Sequence, residues 1–363
     1  MPMRNSVLTR WAAYLSMVLL LGGCGYPEEG EVRNVVELYN TGITSTDDTL
    51  VRYGDQEVEL KDSGGAYTLY VLREDPDTYW VPTGSGILRV SVEDGELDVI
   101  HDVEAPDEMN PASPITQNET HIFYDGNSPV HRDSHSQWCR VPKGKTQADK
   151  ECFETGRPTI YGLTASEDTV YTLSTQDYGE DEDFRESIYA YDMEGQLLKE
   201  YPLDDYITKY GQVISLHYSD GEVYMAFFNH IGKLSADGEI TILPWQELGV
   251  FVNNGIFASD DEELFVVQGT MYEEKNRIIK IDKETGKTQA SPPVSDIITS
   301  PMLEDGDICF NAWTSIYRLS ADTLETSEKH EWFMSRPKWG PPAEILPLSD
   351  FDPTRDIEEV DKQ

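Results

Sequence analysis

The sequence predicts an all-β chain assembled from a repeated unit of about four strands. Three observations predict it. From Val32 onward no stretch keeps a long helical periodicity; β-branched and aromatic runs alternate with Gly, Asp, Asn and Pro. One strand pattern recurs six times. Matching turn residues follow most of its copies.

The recurring strand ends on a basic or small residue, an aliphatic residue (Tyr191 in one copy), and Ser, Asp or Pro. Its copies are Ile87–Ser91, Trp138–Pro142, Ile188–Asp192, Ile231–Ser235, Ile278–Asp282 and Ile316–Ser320, with spacings of 38 to 51 residues between their last positions. A hydrophobic strand is expected before each: Tyr67–Leu72, His121–Tyr124, Val170–Ser174, Glu222–Phe228, Glu263–Val267 and Asp307–Trp313. The turns Glu93-Asp94-Gly95, Met193-Glu194-Gly195, Ala236-Asp237-Gly238 and Lys283-Glu284-Thr285-Gly286 supply residues that tolerate positive φ, as a tight hairpin requires. A period of about 40–50 residues with about four strands per unit marks a propeller blade. The expected fold is therefore a β-propeller with six recognisable blades. A composite seventh can be assembled from Ala343–Leu348 and strands at Val35–Tyr39 and Leu50–Leu60, which would join the chain ends without an open sheet edge. The choice between six and seven stays open. A β-sandwich would not account for six copies of one strand–turn–strand pattern.

The organisation follows: a signal at 1–23, a tether at 24–34, the propeller at 35–349, and an acidic, frayed tail at 350–363. Arg4 and Arg10 precede an apolar run from Trp11 to Leu21, which suits a secretion signal and is too short to span a bilayer. Leu21-Gly22-Gly23-Cys24 follows. It resembles a bacterial lipobox. That resemblance implies cleavage before Cys24, a diacylglycerol on its thiol and an acylated (palmitate-type) amino terminus. Several chains on one residue hold a membrane stably, where one binds marginally. The expected address is the cell envelope, lipid-anchored. Gly25 after the Cys is not the Asp that resembles an inner-membrane retention signal, so a Gram-negative host would place the protein in its outer membrane.

The line Leu264–Gly269 with Arg277–Thr288, "LFVVQG…RIIKIDKETGKT", is similar to repeats of bacterial quinoprotein-like and YVTN-type propellers. The resemblance implies architecture over roughly residues 65–335. The repeated Trp signature of quinone enzymes is absent, so a quinone cofactor is not implied.

The chain carries 68 acidic against 28 basic residues, a formal net charge of −40. Such a charge repels nucleic acid phosphates and anionic lipid heads, so nucleic acid is set aside as a partner. A solvated surface accounts for the excess; binding of a divalent cation or a cationic partner is the sharper alternative.

Cys139 and Cys152 flank a hairpin, and an exported protein meets an oxidising compartment, so a disulfide is expected there. Cys309 reads as a small hydrophobe in a strand. No CxxC exists to support thiol redox or structural zinc. His131, Asp133 and His135 could ligate a transition ion, but incidental imidazoles on a loop explain them more simply. Asp177, Asp181 and Asp183 lie in an acidic hairpin loop that would suit Ca2+, without the EF-hand spacing. No cofactor is predicted beyond that cation. No GxSxG appears, and no Gly-rich phosphate loop precedes a helix. Trp245, Trp332 and Trp339 would cover gaps between blades or line a binding surface.

Two functions remain. One is a non-enzymatic, membrane-anchored module whose propeller binds a protein, peptide or glycan partner through its loops. The other is a metal-dependent propeller enzyme of lactonase or lyase type. That needs ligands at equivalent inner-strand positions, and its candidates Asn118, His217, Asn253 and Asn254 are not repeat-aligned.

Overall fold

The computed structural model describes residues 35–348, apart from 41–47, 67–70, 85, 104–113, 127–135, 158–159, 177–184, 228–229, 244–250, 270–275, 295–297, 305, 313–314 and 332–343. The signal, the tether and the acidic tail lie outside the described residues.

The chain is all-β. Twenty-eight strands form seven four-stranded antiparallel sheets among the described residues. Sheet 1 combines β1 (Val35–Asn40), β2 (Thr49–Tyr53) and β3 (Gln56–Leu60) with the last strand, β28 (Glu344–Pro347), in the order β28-β1-β2-β3. Sheet 2 holds β4 (Leu72–Asp75), β5 (Thr78–Thr83), β6 (Gly86–Glu93) and β7 (Glu96–Val103). Sheet 3 holds β8 (Ile115–Gln117), β9 (His121–Asp125), β10 (Gln137–Pro142) and β11 (Glu151–Glu154). Sheet 4 holds β12 (Ile160–Ala165), β13 (Thr169–Gln176), β14 (Arg185–Asp192) and β15 (Leu197–Pro202). Sheet 5 holds β16 (Val213–Ser219), β17 (Glu222–Phe227), β18 (Ile231–Leu234) and β19 (Ile240–Ile242). Sheet 6 holds β20 (Phe251–Ser259), β21 (Glu263–Gln268), β22 (Arg277–Asp282) and β23 (Thr288–Ala290). Sheet 7 holds β24 (Ile298–Glu304), β25 (Asp307–Ala312), β26 (Ser315–Ser320) and β27 (Thr326–Glu331).

Each recurring strand of the sequence pattern is the third strand of its sheet, and its neighbour is the preceding hydrophobic strand in five cases of six. The exception is a correction. The partner of β6 is Thr78–Thr83, not Tyr67–Leu72. Tyr79, Trp80 and Val81 are fully buried, and that burial fixes the strand. Between β2 and β3, and between β6 and β7, tight turns join the paired strands. In the second turn Asp94 has φ 51° and Gly95 φ 79°, the left-handed pair that a two-residue hairpin demands.

Both faces of the central strands are buried, because alternate residues of one strand enter different cores. Tyr79 and Val81 pack between sheets 1 and 2 with Val36, Val51 and Leu346. Trp80, between them, packs towards sheet 3 with Ile122, Tyr124 and Cys139. Ile279 and Ile281 pack with sheet 5, while Ile278 packs with sheet 7. Lys280 alternates to the Ile278 side, where its Nζ donates to the Asp322 carbonyl at 2.7 Å and pairs with Glu263 at 3.0 Å.

Polar contacts link every consecutive pair of sheets. Asn40 Nδ2 donates to the Ala66 carbonyl at 3.0 Å, and Tyr79 Oη donates to the Pro347 carbonyl, tying sheet 1 to sheet 2. Gln117 Nε2 reaches the Arg73 carbonyl at 2.9 Å, from sheet 3 to sheet 2. Asn118 Nδ2 donates to the Ser166 carbonyl beyond β12 at 2.8 Å. The Tyr218 N–H of sheet 5 donates to Thr164 Oγ1 of sheet 4 at 2.9 Å. The Ile256 N–H of sheet 6 donates to Ser215 Oγ of sheet 5 at 3.1 Å. Lys280 crosses to sheet 7, and Asn311 Nδ2 donates to the Ile345 carbonyl of sheet 1 at 2.8 Å. The series returns to the sheet where it began.

One α-helix, α1 (Asp204–Tyr210), joins sheets 4 and 5. Asp204 and Asp205 in its first turn complement the helix dipole. Tyr206, Ile207 and Tyr210 pack onto the core between those sheets. No helix among the described residues is long and apolar enough to cross a membrane.

Candidate functional site

A polar cluster that involves a sequence candidate lies between sheets 5 and 6, around His217. β16 carries His217 and Ser219, and Asp220 opens the turn after it. β20 ends on Ser259, and Lys283 follows β22. Lys283 is 8 % exposed. Its ammonium donates to Ser219 Oγ at 2.9 Å, to Asp220 Oδ2 at 2.6 Å and to the Asp260 carbonyl. All three ammonium protons are thereby used. Its Nζ also lies 5.7 Å from the centre of the Tyr224 ring.

The hydroxyl protons then run in one direction. Ser259 Oγ donates to Ser219 Oγ at 2.9 Å, and Ser219 Oγ donates to Asp220 Oδ2 at 2.9 Å. His217 Nε2 lies 2.9 Å from Ser259 Oγ. Because the single Ser259 proton is committed to Ser219, His217 acts as the donor and carries its proton on Nε2. A nucleophilic serine needs the reverse: an imidazole nitrogen free to take the hydroxyl proton. The cluster is wired for cohesion between sheets, not for activating Ser259.

Its electrostatics agree. Burial, with Lys283 second, pushes His217 down to about 4, so the ring is neutral at pH 7. Asp220 is held below the usual carboxylate range, first by the Lys283 hydrogen bond and then by that from Ser219.

A second buried acid stands between sheets 4 and 5. Glu186, at the start of β14, is 0 % exposed. Its Oε2 accepts the Val213 N–H at 3.3 Å. Burial raises its pKa; contacts with Tyr161, Val213 and Gln212 offset part of that rise.

The remaining sequence candidates fall as follows. Cys139 and Cys152 are directly opposed on β10 and β11, and a disulfide joins them with a Cα–Cα distance of 4.1 Å. Cys309 lies in β25 as a free thiol whose pKa burial raises. Asn118 is a turn residue: its Oδ1 accepts the N–H groups of Thr120 and His121 at 2.9 and 2.8 Å. Asn118 and His217 serve different sheet boundaries and do not converge. Asn253 and Asn254 fall within β20, and their side chains lie outside what is described. Cys24, His131, Asp133, His135, Asp177, Asp181, Asp183, Trp245, Trp332 and Trp339 also lie outside the described residues. No group of three or more His, Cys, Asp or Glu placed to hold a metal ion occurs among the described residues. Sequence reading missed Ser259, Lys283 and Glu186. Lys283 reads in the sequence only as part of a hairpin turn, and nothing local marks it as the lysine that reaches Ser219 and Asp220.

No protein-family model matches the chain, and no curated protein matches it. Among solved structures it is similar to apo AztD from Citrobacter koseri, with a TM-score of 0.48 and 10 % identity over 85 % of this chain and 83 % of that one. It is also similar to the extracellular domain of the putative one component system BT4673 from B. thetaiotaomicron, with a TM-score of 0.48 and 12 % identity over 84 % of this chain and 45 % of that one.

Proposed function

We propose that the seven sheets are the blades of a closed β-propeller, held at the cell envelope by a lipid on Cys24, that acts as a non-enzymatic binding module for a protein, peptide or glycan. One observation carries the closure: the last strand completes the first sheet, with Val36 opposite Leu346 and Glu37 opposite Ile345. A ring joined in this way has no free inner edge to unzip. The unbroken series of polar links from sheet to sheet supports the same reading. The proton direction at Ser259, away from His217, favours a rigid scaffold over an acyl-transfer enzyme. Function on such a scaffold belongs to the loops that the sheets hold in place.

Anchorage is tested by growing cells with an alkyne-tagged fatty acid. The wild type is expected to take up the label and sediment with membranes. Cys24→Ser is expected to lose the label and enter the soluble fraction. Membrane retention of unlabelled Cys24→Ser would refute the anchor.

A further inference from the structure

The geometry points to a cleft between sheets 4 and 5 that binds an extended, proline-rich peptide segment with basic flanks. This deepens the binding-module reading and rests on it. Six half-buried tyrosines pack against the core at this boundary: Tyr161, Tyr171, Tyr201, Tyr206, Tyr210 and Tyr218; the Tyr161 hydroxyl is buried and that of Tyr206 donates to the Ile240 carbonyl at 3.1 Å, which leaves the other four to line a surface. The cores of sheets 1–2 and 6–7 carry one each, Tyr53 and Tyr317. Tyrosines are thus concentrated at one boundary.

Two of them build a platform across it. Tyr171 on β13 and Tyr218 on β16 are near-parallel, with ring centres 6.3 Å apart and planes 15° apart. The Tyr218 backbone is pinned to sheet 4 through Thr164 Oγ1, so the pair is held in place by the frame. Tyr201 stands on the outer strand β15, with Lys199 Nζ 4.6 Å from its ring centre. Tyr201, Tyr218 and Asp168 are close enough to Tyr171 to add to the rise in its pKa that burial causes first. At the same end stand Glu167 and Asp168, exposed beside β13, and Asp220, exposed beside Tyr218.

Aromatic grooves with phenolic hydroxyls suit polyproline II. Such a segment has no internal hydrogen bonds, presents flat rings and free carbonyls, and loses little entropy on docking. Rings seat the prolines while hydroxyls donate to the carbonyls. Glu167 and Asp168 are complementary to Arg or Lys at the ends of the segment, while Asp220 is already paired with Lys283. The net charge of −40 adds long-range attraction for a basic peptide and repels an acidic one. A neutral sugar would stack on the same rings but gain nothing from the carboxylates, so the peptide is favoured.

The test uses the full chain in detergent and a fluorescent octaproline peptide with arginines at both ends, read by anisotropy. Saturable binding is expected, weakened about tenfold or more by Tyr218→Ala and by Tyr171→Ala, a loss of about 1.4 kcal/mol per tenfold. High salt and glutamate flanks are expected to weaken it, and Tyr317→Ala, at a different boundary, is expected to leave it unchanged. If Tyr218→Ala unfolds early, Tyr201→Ala and Tyr218→Leu replace it, with thermal melts alongside. No saturation at millimolar peptide, equal affinity in the tyrosine variants, or tighter binding of cellopentaose at Tyr218 would each overturn the cleft. Those outcomes leave lipid labelling at Cys24 untouched, so failure of the cleft and failure of the envelope anchor are read separately.

Discussion

Acid should loosen this protein through His217, and the size of the effect follows from its surroundings. The ring is neutral and donates to Ser259, beside the Lys283 ammonium. Its pKa is pushed from 6.5 down to about 4. The unfolded chain therefore binds a proton at His217 that the folded chain refuses in this window. Stability from this group is fully present above pH 6.5 and is lost as pH falls towards 4. A displacement of about 2.5 units at about 1.4 kcal/mol each gives about 3 kcal/mol. Carboxylates titrate over the same range, so the measurement is a difference. His217→Gln keeps an N–H donor for Ser259 but cannot titrate. Urea unfolding at pH 7, 6, 5 and 4 should show the wild type losing about 3 kcal/mol more than His217→Gln over that range. A second readout is the ring's own titration by NMR: Lys283→Met should raise the His217 pKa without restoring 6.5, because burial is the larger cause. Parallel stability curves for wild type and His217→Gln would refute the reasoning.

Other perturbations reach different parts of the fold. The disulfide between Cys139 and Cys152 closes a loop with a sequence separation of 13, worth about 3 kcal/mol in the chain-entropy account; Cys139→Ser with Cys152→Ser should lower the urea midpoint accordingly, and reductant should then have no further effect. Glu186→Gln should stabilise the protein at pH 7 and do nothing near pH 4, because a buried acid with a raised pKa costs stability as pH climbs through the interval between its unfolded and folded values; an equal effect at both pH values in thermal melts would contradict this. Removing Glu344–Leu348 uncovers β1 and takes away the buried side chains of Ile345, Leu346 and Leu348, a loss of about 1.5–3 kcal/mol of burial for each. Light scattering should report aggregation through the uncovered edge; a monomeric truncation with an unchanged melting temperature would contradict it.

What the sequence disclosed follows from where information is local. The third strands, such as Ile278–Asp282, are apolar on both sides because neighbouring sheets cover both faces, so they stand out as short hydrophobic runs. Asp94-Gly95 was legible because turn chemistry resides in adjacent residues. The strand Thr78–Thr83 was hidden by Pro82, normally a mark against a central strand. Among the described residues the pairing to β4 ends with Trp80 opposite Leu72, and an isolated bridge between Ala66 and Thr83 follows. Helix α1 has seven residues, too few to show a period. The His217 cluster was illegible for another reason. His217 and Ser259 are 42 residues apart, and Ser219 and Lys283 are 64 apart, so only the packed sheets bring them together. The tyrosine platform spans β13 and β16 and depends on the same packing.

The composite first sheet also dictates an order of assembly. Val36 pairs with Leu346, at the far end of the described residues, so β1 waits for the last strand before its second neighbour exists. The entropy of closing so long a loop grows only slowly with its length, but contacts between such distant residues form late. During synthesis the first three strands therefore wait with one edge unmet. Sheets 2 to 7 can each form from contiguous chain, whereas sheet 1 is the final latch. A chain that lacks Glu344–Pro347 would carry six complete sheets and a first sheet of three strands with β1 uncovered.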